Sequence, residues 1–214
     1  ICLGLPTRFL PGRRVVTDEE ARRIGTPTKW NYANDCTDIL LASARGGADF
    51  KRTFLEAFIR PGLDLRNWTS RANYAARGIV QTGDAELSVY VKHNSGYPTI
   101  HVRRYTLRPD GFVSVYGPYR GGELVTKPVK FSGSRLLLNY STSAAGGLRV
   151  EVQTPAGKPV DGFALSDCPE VIGDRIDHPV SWRTGADVGS LAGKPVRLRF
   201  VLKDADLYSL RFGE

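Results

Sequence analysis

Short runs in which apolar and polar residues alternate dominate the chain and predict β-strands. Leu148, Val150 and Val152 alternate with polar neighbours, and the same period of two recurs over residues 196–202. Such a strand buries one face in a core and turns the other to water. Together with the other strand candidates after residue 122, this pattern predicts a β-sandwich of the jelly-roll type over residues 123–214.

The first segment, residues 1–122, shows a different arrangement of strand candidates. Four of them, at residues 73–80, 86–92, 99–107 and 111–115, follow one another with turns rich in Gly, Asp, Asn and Pro between them. Four consecutive short strands are typical of one blade of a β-propeller. The sequence therefore predicts an all-β protein, with partial β-propeller blades followed by the sandwich.

Two local signals complete the prediction for the first segment. Residues 38–44 and 50–54 enclose a Gly-containing turn and indicate a hairpin. The only helical pattern begins at Thr17, where Thr17 and Glu20 form the spacing of a capping box. We expect one or two helical turns, ending near Ile24.

Composition narrows the classes of protein further. The 214 residues carry a net charge of +8, but no block of Lys or Arg exceeds two residues. No apolar run approaches the ~18 residues of a membrane span, and no nucleic-acid-binding motif accompanies the arginines. We therefore expect neither a membrane nor a nucleic acid as partner. The chain has no Met and begins at Ile1, which we interpret as a cut edge.

Several segments resemble a known group of proteins. They are residues 103–115 (RRYTLRPDGFVSV), 121–128 (GGELVTKP), 139–146 (NYSTSAAG) and 194–212. Together they resemble the C-terminal half of bacterial glycosidase-like proteins, abundant in planctomycetes and metagenomes and similar to family 32 and family 43 glycoside hydrolases. The resemblance implies a five-bladed β-propeller followed by a β-sandwich, a polysaccharide or oligosaccharide substrate, and a secreted or periplasmic location.

The resemblance carries no catalytic residue onto this chain. The related hydrolases take their catalytic carboxylates from the first three blades, in Asn-Asp-Pro, Arg-Asp-Pro and Glu-Cys motifs, and none of these motifs occurs here. We therefore expect a fragment of a longer glycoside hydrolase whose catalytic carboxylates lie upstream. The alternative is a non-catalytic carbohydrate-binding or interaction module, which needs aromatic and polar surface but no carboxylate pair.

The residues themselves offer candidates for both functions. Glycoside hydrolysis needs two carboxylates, and Asp38 and Glu86 each open a predicted strand that could face a central cleft. The competing interpretation is that Asp38 caps a turn and that Glu86 lies on a solvated strand edge. Candidate sugar contacts are polar or aromatic side chains in loops or on strand faces: Trp30, Trp68, Arg71, Asn73, Tyr74, His101 and Arg103.

We predict no cofactor and no metal site, with one alternative left open. Asp167, Glu170, Asp174 and Asp177 share a loop that could hold a structural Ca²⁺, although their spacing matches no EF-hand. The predicted partner is carbohydrate. Self-association through open propeller edges is a further expectation, because unpaired strands invite pairing.

Overall fold

The computed structural model describes residues 1–27 and 32–214, and its secondary structure confirms an all-β protein. The chain divides into two compact units, Ile1–Leu107 and Arg108–Glu214. The division precedes the predicted boundary at residue 122 by 15 residues, because the strand at Val115–Gly117 pairs within the second unit.

The first unit contains eight described strands and one α-helix. In chain order they are β1 (Cys2–Gly4), β2 (Thr7–Leu10), α1 (Asp18–Arg23), β3 (Cys36–Ile39), β4 (Ala42–Ala44), β5 (Tyr74–Ala75), β6 (Val80–Gly83), β7 (Glu86–His93) and β8 (His101–Leu107). Short 3₁₀ turns lie at Tyr32–Asn34 and Leu65–Trp68.

Helix α1 confirms the predicted capping box. The Thr17 side chain accepts a hydrogen bond from the Glu20 backbone at 3.1 Å, and the Glu20 carboxylate accepts one from the Thr17 backbone at 2.9 Å. These bonds satisfy two backbone donors that the helix itself leaves free. The hydrogen bonds lower the pKa of Glu20, the one from the Thr17 backbone most strongly.

Three antiparallel sheets build the first unit. Strand β1 pairs with β4, β2 pairs with β3, and β7 pairs with β5 and β6 along one edge and with β8 along the other. Residues 50–54 form no strand, and only Lys51 bridges to Ser43. The predicted hairpin is therefore reduced to that bridge, and the other edge of β4 pairs with β1.

The interior of the first unit combines apolar and polar side chains. Its apolar cluster centres on Ile39, Ile59, Val89 and Val91. Polar side chains are also buried among the described residues: Asp35, Thr37, Asn67, Thr69, Ser70, Asn73, Ser88, His93 and Asn94. Because buried polar groups need partners, hydrogen bonds help to fix this unit alongside apolar packing.

The second unit contains one antiparallel sheet, which is curled into a half-barrel. Its strands are β9 (Val115–Gly117), β10 (Gly122–Val125), β11 (Arg135–Gln153), β12 (Asp174–Pro179) and β13 (Arg197–Gly213). Strand β13 pairs with β9, β10 and β11, and β11 pairs with β12. Short 3₁₀ turns lie at Leu165–Asp167 and Gly189–Leu191.

Strand β13 confirms the alternation predicted from the sequence, whereas in β11 Glu151 and Gln153, which alternate with Val150 and Val152, are buried as well. Val150 and Phe200 face each other in register and are fully buried, whereas Arg149 is exposed. The pairing register shifts between Thr142 and Gly147, where a Cβ on Gly146 would lie 2.3 Å from the Asp204 carbonyl oxygen. Glycine at this bulge allows the two backbones to approach.

Candidate functional site

A polar pocket of about 230 Å³ lies in the first unit, and we call it the Arg71 pocket. Segments that are distant in sequence form it: the turn before β3, the loop after the Leu65–Trp68 turn, and the paired strands β5 and β7. Its lining consists of polar, charged and tyrosine side chains: Tyr32, Asp35, Ser70, Arg71, Tyr74, Lys92 and Ser95.

A buried ion pair fixes one wall of the Arg71 pocket. Asp35 is 4% exposed, and its Oδ2 accepts a hydrogen bond from Arg71 Nε at 2.9 Å and lies 2.9 Å from Arg71 Nη2 in an ion pair. The Arg71 guanidinium also lies 4.6 Å from the centroid of the Phe9 ring. Arg71 is therefore held by a charge partner and an aromatic face, while about half of its side chain stays open to solvent.

A lysine and a tyrosine form another wall. Tyr74 on β5 and Lys92 on β7 are cross-strand partners, and the Lys92 ammonium lies 4.7 Å from the centroid of the Tyr74 ring. No carboxylate in the described part of the chain lies within ion-pair distance of Lys92 Nζ. The ring therefore positions a positive charge that Asp35 does not neutralise.

Ser70 contributes a hydroxyl without a partner. The residue is 4% exposed, and its Oγ makes no hydrogen bond to any described residue. Ser70 and Arg71 both have left-handed backbone, with φ of 59° and 52°, which is costly for residues other than glycine. A buried hydroxyl without a hydrogen-bond partner lowers the stability of a protein by about 1–3 kcal/mol. A polar ligand group that forms a hydrogen bond with Ser70 would remove this cost.

Hydrogen bonds beneath the pocket hold these residues in place. The Asn73 side-chain amide donates to the carbonyl oxygens of Thr37 and Asn67, both at 2.8 Å. Asn67 in turn accepts from the Asn94 backbone at 2.9 Å. Asn73, which the sequence offered as a sugar contact, is 1% exposed and does not line the pocket. It supports the loop that carries Ser70 and Arg71.

The two predicted catalytic carboxylates lie on different sheets, and each is paired with an arginine. Asp38 on β3 accepts from Arg8 Nε at 2.9 Å and from Nη2 at 2.5 Å. Glu86 on β7 accepts from Arg104 at 3.0 Å across the β7–β8 pair. The structure assigns both carboxylates to ion pairs and does not bring them to one pocket.

Asp38 instead lines a second cavity of about 440 Å³, which we call the Trp68 cavity. Glu56, Trp68 and three arginines share this cavity with it: Arg8, Arg13 and Arg60. Trp68 donates its indole N–H to the Gly62 carbonyl at 2.8 Å. The cavity thus combines two carboxylates with the aromatic side chain that the sequence offered as a sugar platform.

Two further predicted contacts, His101 and Arg103, do not line the Arg71 pocket. His101 is exposed on β8 and stacks on His93 with ring centroids 5.6 Å apart, and Arg103 is exposed on the same strand. Burial lowers the pKa of the His93 imidazole, and the charge of Arg103 lowers it further. Trp30 lies outside the described residues.

The structure adds pocket residues that the sequence did not indicate. Of the predicted sugar contacts within the described ranges, Arg71 and Tyr74 alone line the Arg71 pocket. Tyr32, Asp35, Ser70, Lys92 and Ser95 join them through the tertiary fold. The Tyr74–Lys92 pair would have been accessible from sequence only if the register of β5 against β7 had been known.

No cluster of three His, Cys, Asp or Glu side chains able to hold a metal ion occurs within residues 1–27 and 32–214. In the loop considered for calcium, Asp174 pairs with Arg108 at 2.6 Å and Asp177 pairs with Arg211 at 2.8 Å. These two carboxylates are therefore engaged by arginines. No helix in the described ranges is long and apolar enough to cross a membrane.

Known proteins give no match to this chain: no family, no curated protein and no solved structure matches it. The geometry of the two cavities is therefore the basis for a functional conclusion.

Proposed function

We propose that this chain binds carbohydrate in the Arg71 pocket. The observation that carries the proposal is the buried Ser70 hydroxyl, unpartnered among the described residues, in a pocket whose other walls are tyrosines and fixed charged groups. Sugars present hydroxyls that both donate and accept, and C–H faces that pack on aromatic rings. Pockets that combine a few convergent polar groups with aromatic surface suit such ligands.

The shape of the pocket supports this proposal. Its volume of about 230 Å³ is suited to one sugar ring or part of a longer chain. The Asp35–Arg71 pair offers guanidinium N–H donors in a fixed orientation, because the carboxylate holds one edge of the guanidinium. Bidentate donation of this kind selects the orientation of a ligand as well as stabilising it.

Replacing the tyrosine wall provides the test. We expect Tyr74→Ala to weaken binding of oligosaccharides about tenfold or more, since loss of an aromatic stacking surface costs ~1.5 kcal/mol or more. Binding would be found first by a glycan array and then measured by isothermal titration calorimetry.

Tyr119→Ala is a matched control for that experiment. Tyr119 is also an exposed tyrosine with a lysine over its ring, Lys203 at 4.8 Å, but it belongs to the second unit. The Tyr119→Ala variant should bind oligosaccharides with the same affinity as the native chain. Equal affinity in Tyr74→Ala and Tyr119→Ala, or no glycan bound by the native chain, would contradict the proposal.

Glycoside hydrolysis is a second candidate, and the Trp68 cavity favours it. Asp38 and Glu56 lie in that cavity beside Trp68, and two carboxylates at a sugar site are what glycosidase chemistry requires. Asp38 is held in place by two hydrogen bonds from Arg8 and would act as the nucleophile or base. Glu56 is exposed and would supply the acid.

A single substitution tests the hydrolytic role. We expect Glu56→Gln to reduce hydrolysis of aryl glycosides or polysaccharides at least about a hundredfold, since that is the usual contribution of a positioned general acid. Glu19→Gln, an exposed glutamate in α1, is the control. Unchanged turnover in Glu56→Gln, or no turnover by the native chain, would overturn this candidate and leave the binding proposal intact.

The relationship to glycosidase-like proteins is a proposal that depends on the sequence resemblance. Under this proposal, the sheet formed by β5, β6, β7 and β8 corresponds to part of a propeller blade. The curled sheet of the second unit corresponds to the sandwich. The chain would then be the carbohydrate-binding part of a longer glycoside hydrolase. Self-association and the exclusion of nucleic acid stay predictions.

A further inference from the structure

We infer that the Arg71 pocket selects an anionic sugar, one that carries a carboxylate or a sulfate ester. The inference rests on the proposed carbohydrate binding and specifies its substrate class. It follows from the charges that line the pocket: one carboxylate, Asp35, and two cations, Arg71 and Lys92.

The first step is the distribution of those charges. Asp35 accepts a hydrogen bond from Arg71 Nε and forms an ion pair with the same guanidinium, so the charges of this pair cancel. Lys92 has no carboxylate partner in the described ranges, and its surroundings within the lining are hydroxyls and tyrosine rings. The pocket therefore carries a net charge of +1, located at Lys92 Nζ.

The second step is the position of that charge. Register pairing places Lys92 opposite Tyr74, and the half-buried ammonium lies over the Tyr74 ring at 4.7 Å. A lysine that extended freely into solvent would lose rotamer freedom on binding a ligand, whereas this one is already held in place. The charge is thus arranged before the ligand binds.

The third step is the supply of hydrogen-bond donors for an oxyanion. Ser70 Oγ is a buried hydroxyl with no described partner and can donate to an anionic oxygen. About half of the Arg71 side chain is accessible to solvent. Hydrogen bonds to a charged acceptor are shorter and about twice as strong as neutral ones. A carboxylate or sulfate on the sugar would use Lys92 and Ser70 together.

The test compares ligands that differ only in charge. Oligogalacturonides and their methyl-esterified forms share one sugar backbone, and sulfated and unsulfated galactan oligosaccharides form a second matched pair. We expect the native chain to bind one of the acidic members at least about tenfold tighter than its neutral counterpart. The preference should shrink as NaCl rises from 50 mM to 500 mM because salt screens the contact.

Variants then assign the preference to the pocket. Lys92→Gln should remove the preference for the acidic ligand, and Lys92→Arg should retain it. Lys203→Gln is the matched control, since Lys203 also lies over a tyrosine ring and its loss changes the net charge equally. Thermal unfolding of each variant confirms that the chain is folded.

Each result decides between the two proposals. The inference is supported if the preference for an acidic ligand is lost in Lys92→Gln and kept in Lys203→Gln. The matched ligand pair that shows this preference then tells whether the pocket selects a carboxylate or a sulfate ester. Equal binding of charged and neutral ligands overturns the inference but leaves carbohydrate binding standing. A native chain that binds none of the four ligand types overturns the anion inference, and the glycan array then decides on the proposed function separately.

Discussion

Phe200→Ala is expected to lower the free energy of unfolding of the second unit by about 3–5 kcal/mol, the usual range for deletion of a buried aromatic ring. Phe200 has no exposed surface and is the register partner of both Leu124 on β10 and Val150 on β11. Its ring therefore packs at the centre of the sheet, and the surrounding β-strands can close the resulting cavity only partially.

Amide hydrogen exchange measures this effect in the unit where it arises. Protection in β11 and β13 should fall by the amount of the destabilisation, while β7 and β8 in the first unit keep theirs. Phe54→Ala is the control, because it deletes the same ring from a site that is 45% exposed. A loss below about 1 kcal/mol for Phe200→Ala would show that Phe200 does not anchor the core.

Arg71→Ala is expected to have the second-largest effect, on stability and on binding together. Asp35 would keep a buried carboxylate without its cation, and breaking such a pair costs about 3 kcal/mol. This figure is at the low end of the usual range because roughly half of the Arg71 side chain is exposed. Ligand binding at the Arg71 pocket should be lost as well.

A double variant separates the two consequences. In Asp35→Asn/Arg71→Ala the unpaired charge is gone, so we expect most of the stability to return while binding stays absent. Denaturant unfolding and calorimetric titration of the single and double variants measure the two quantities. Full binding by a stable double variant would mean that Arg71 has no role in the ligand site.

Local signals in the sequence predicted local structure well. The capping box at Thr17 and Glu20 formed as expected because its hydrogen bonds join residues three apart. The alternation around Val150 identified a buried strand face because side-chain direction in a strand follows directly from sequence position. Both predictions needed no knowledge of the rest of the fold.

Features that depend on which strands pair were harder to predict from the sequence. Strand β11 runs unbroken through Gly146 and Gly147, and its pairing with β13 shifts register between Thr142 and Gly147. Strand β12 was not predicted, since Asp174–Pro179 is rich in charged residues and ends in proline. Pairing with β11 overrides that weak local preference.

The same limit applies to the candidate site. Arg71 and Tyr74 are close in sequence and form a recognisable polar and aromatic segment, so they could be proposed at once. Asp35 and Lys92 reach the pocket only through the tertiary arrangement of β3 and β7. Asp38 and Glu86 could be named as carboxylates at strand starts, but their arginine partners depend on strand pairing and could not.

The paired left-handed conformations of Ser70 and Arg71 have a consequence for the speed of binding. Gly96 lies close by, with a φ of 87° that favours glycine, and a Cβ there would contact Tyr32 and Ser70 at 3.4 and 3.6 Å. Hydrogen bonds to buried partners hold the loop beneath in this conformation without any ligand. Association then needs no loop rearrangement, so its rate should follow the diffusional encounter, and affinity differences among ligands should reside in their dissociation rates.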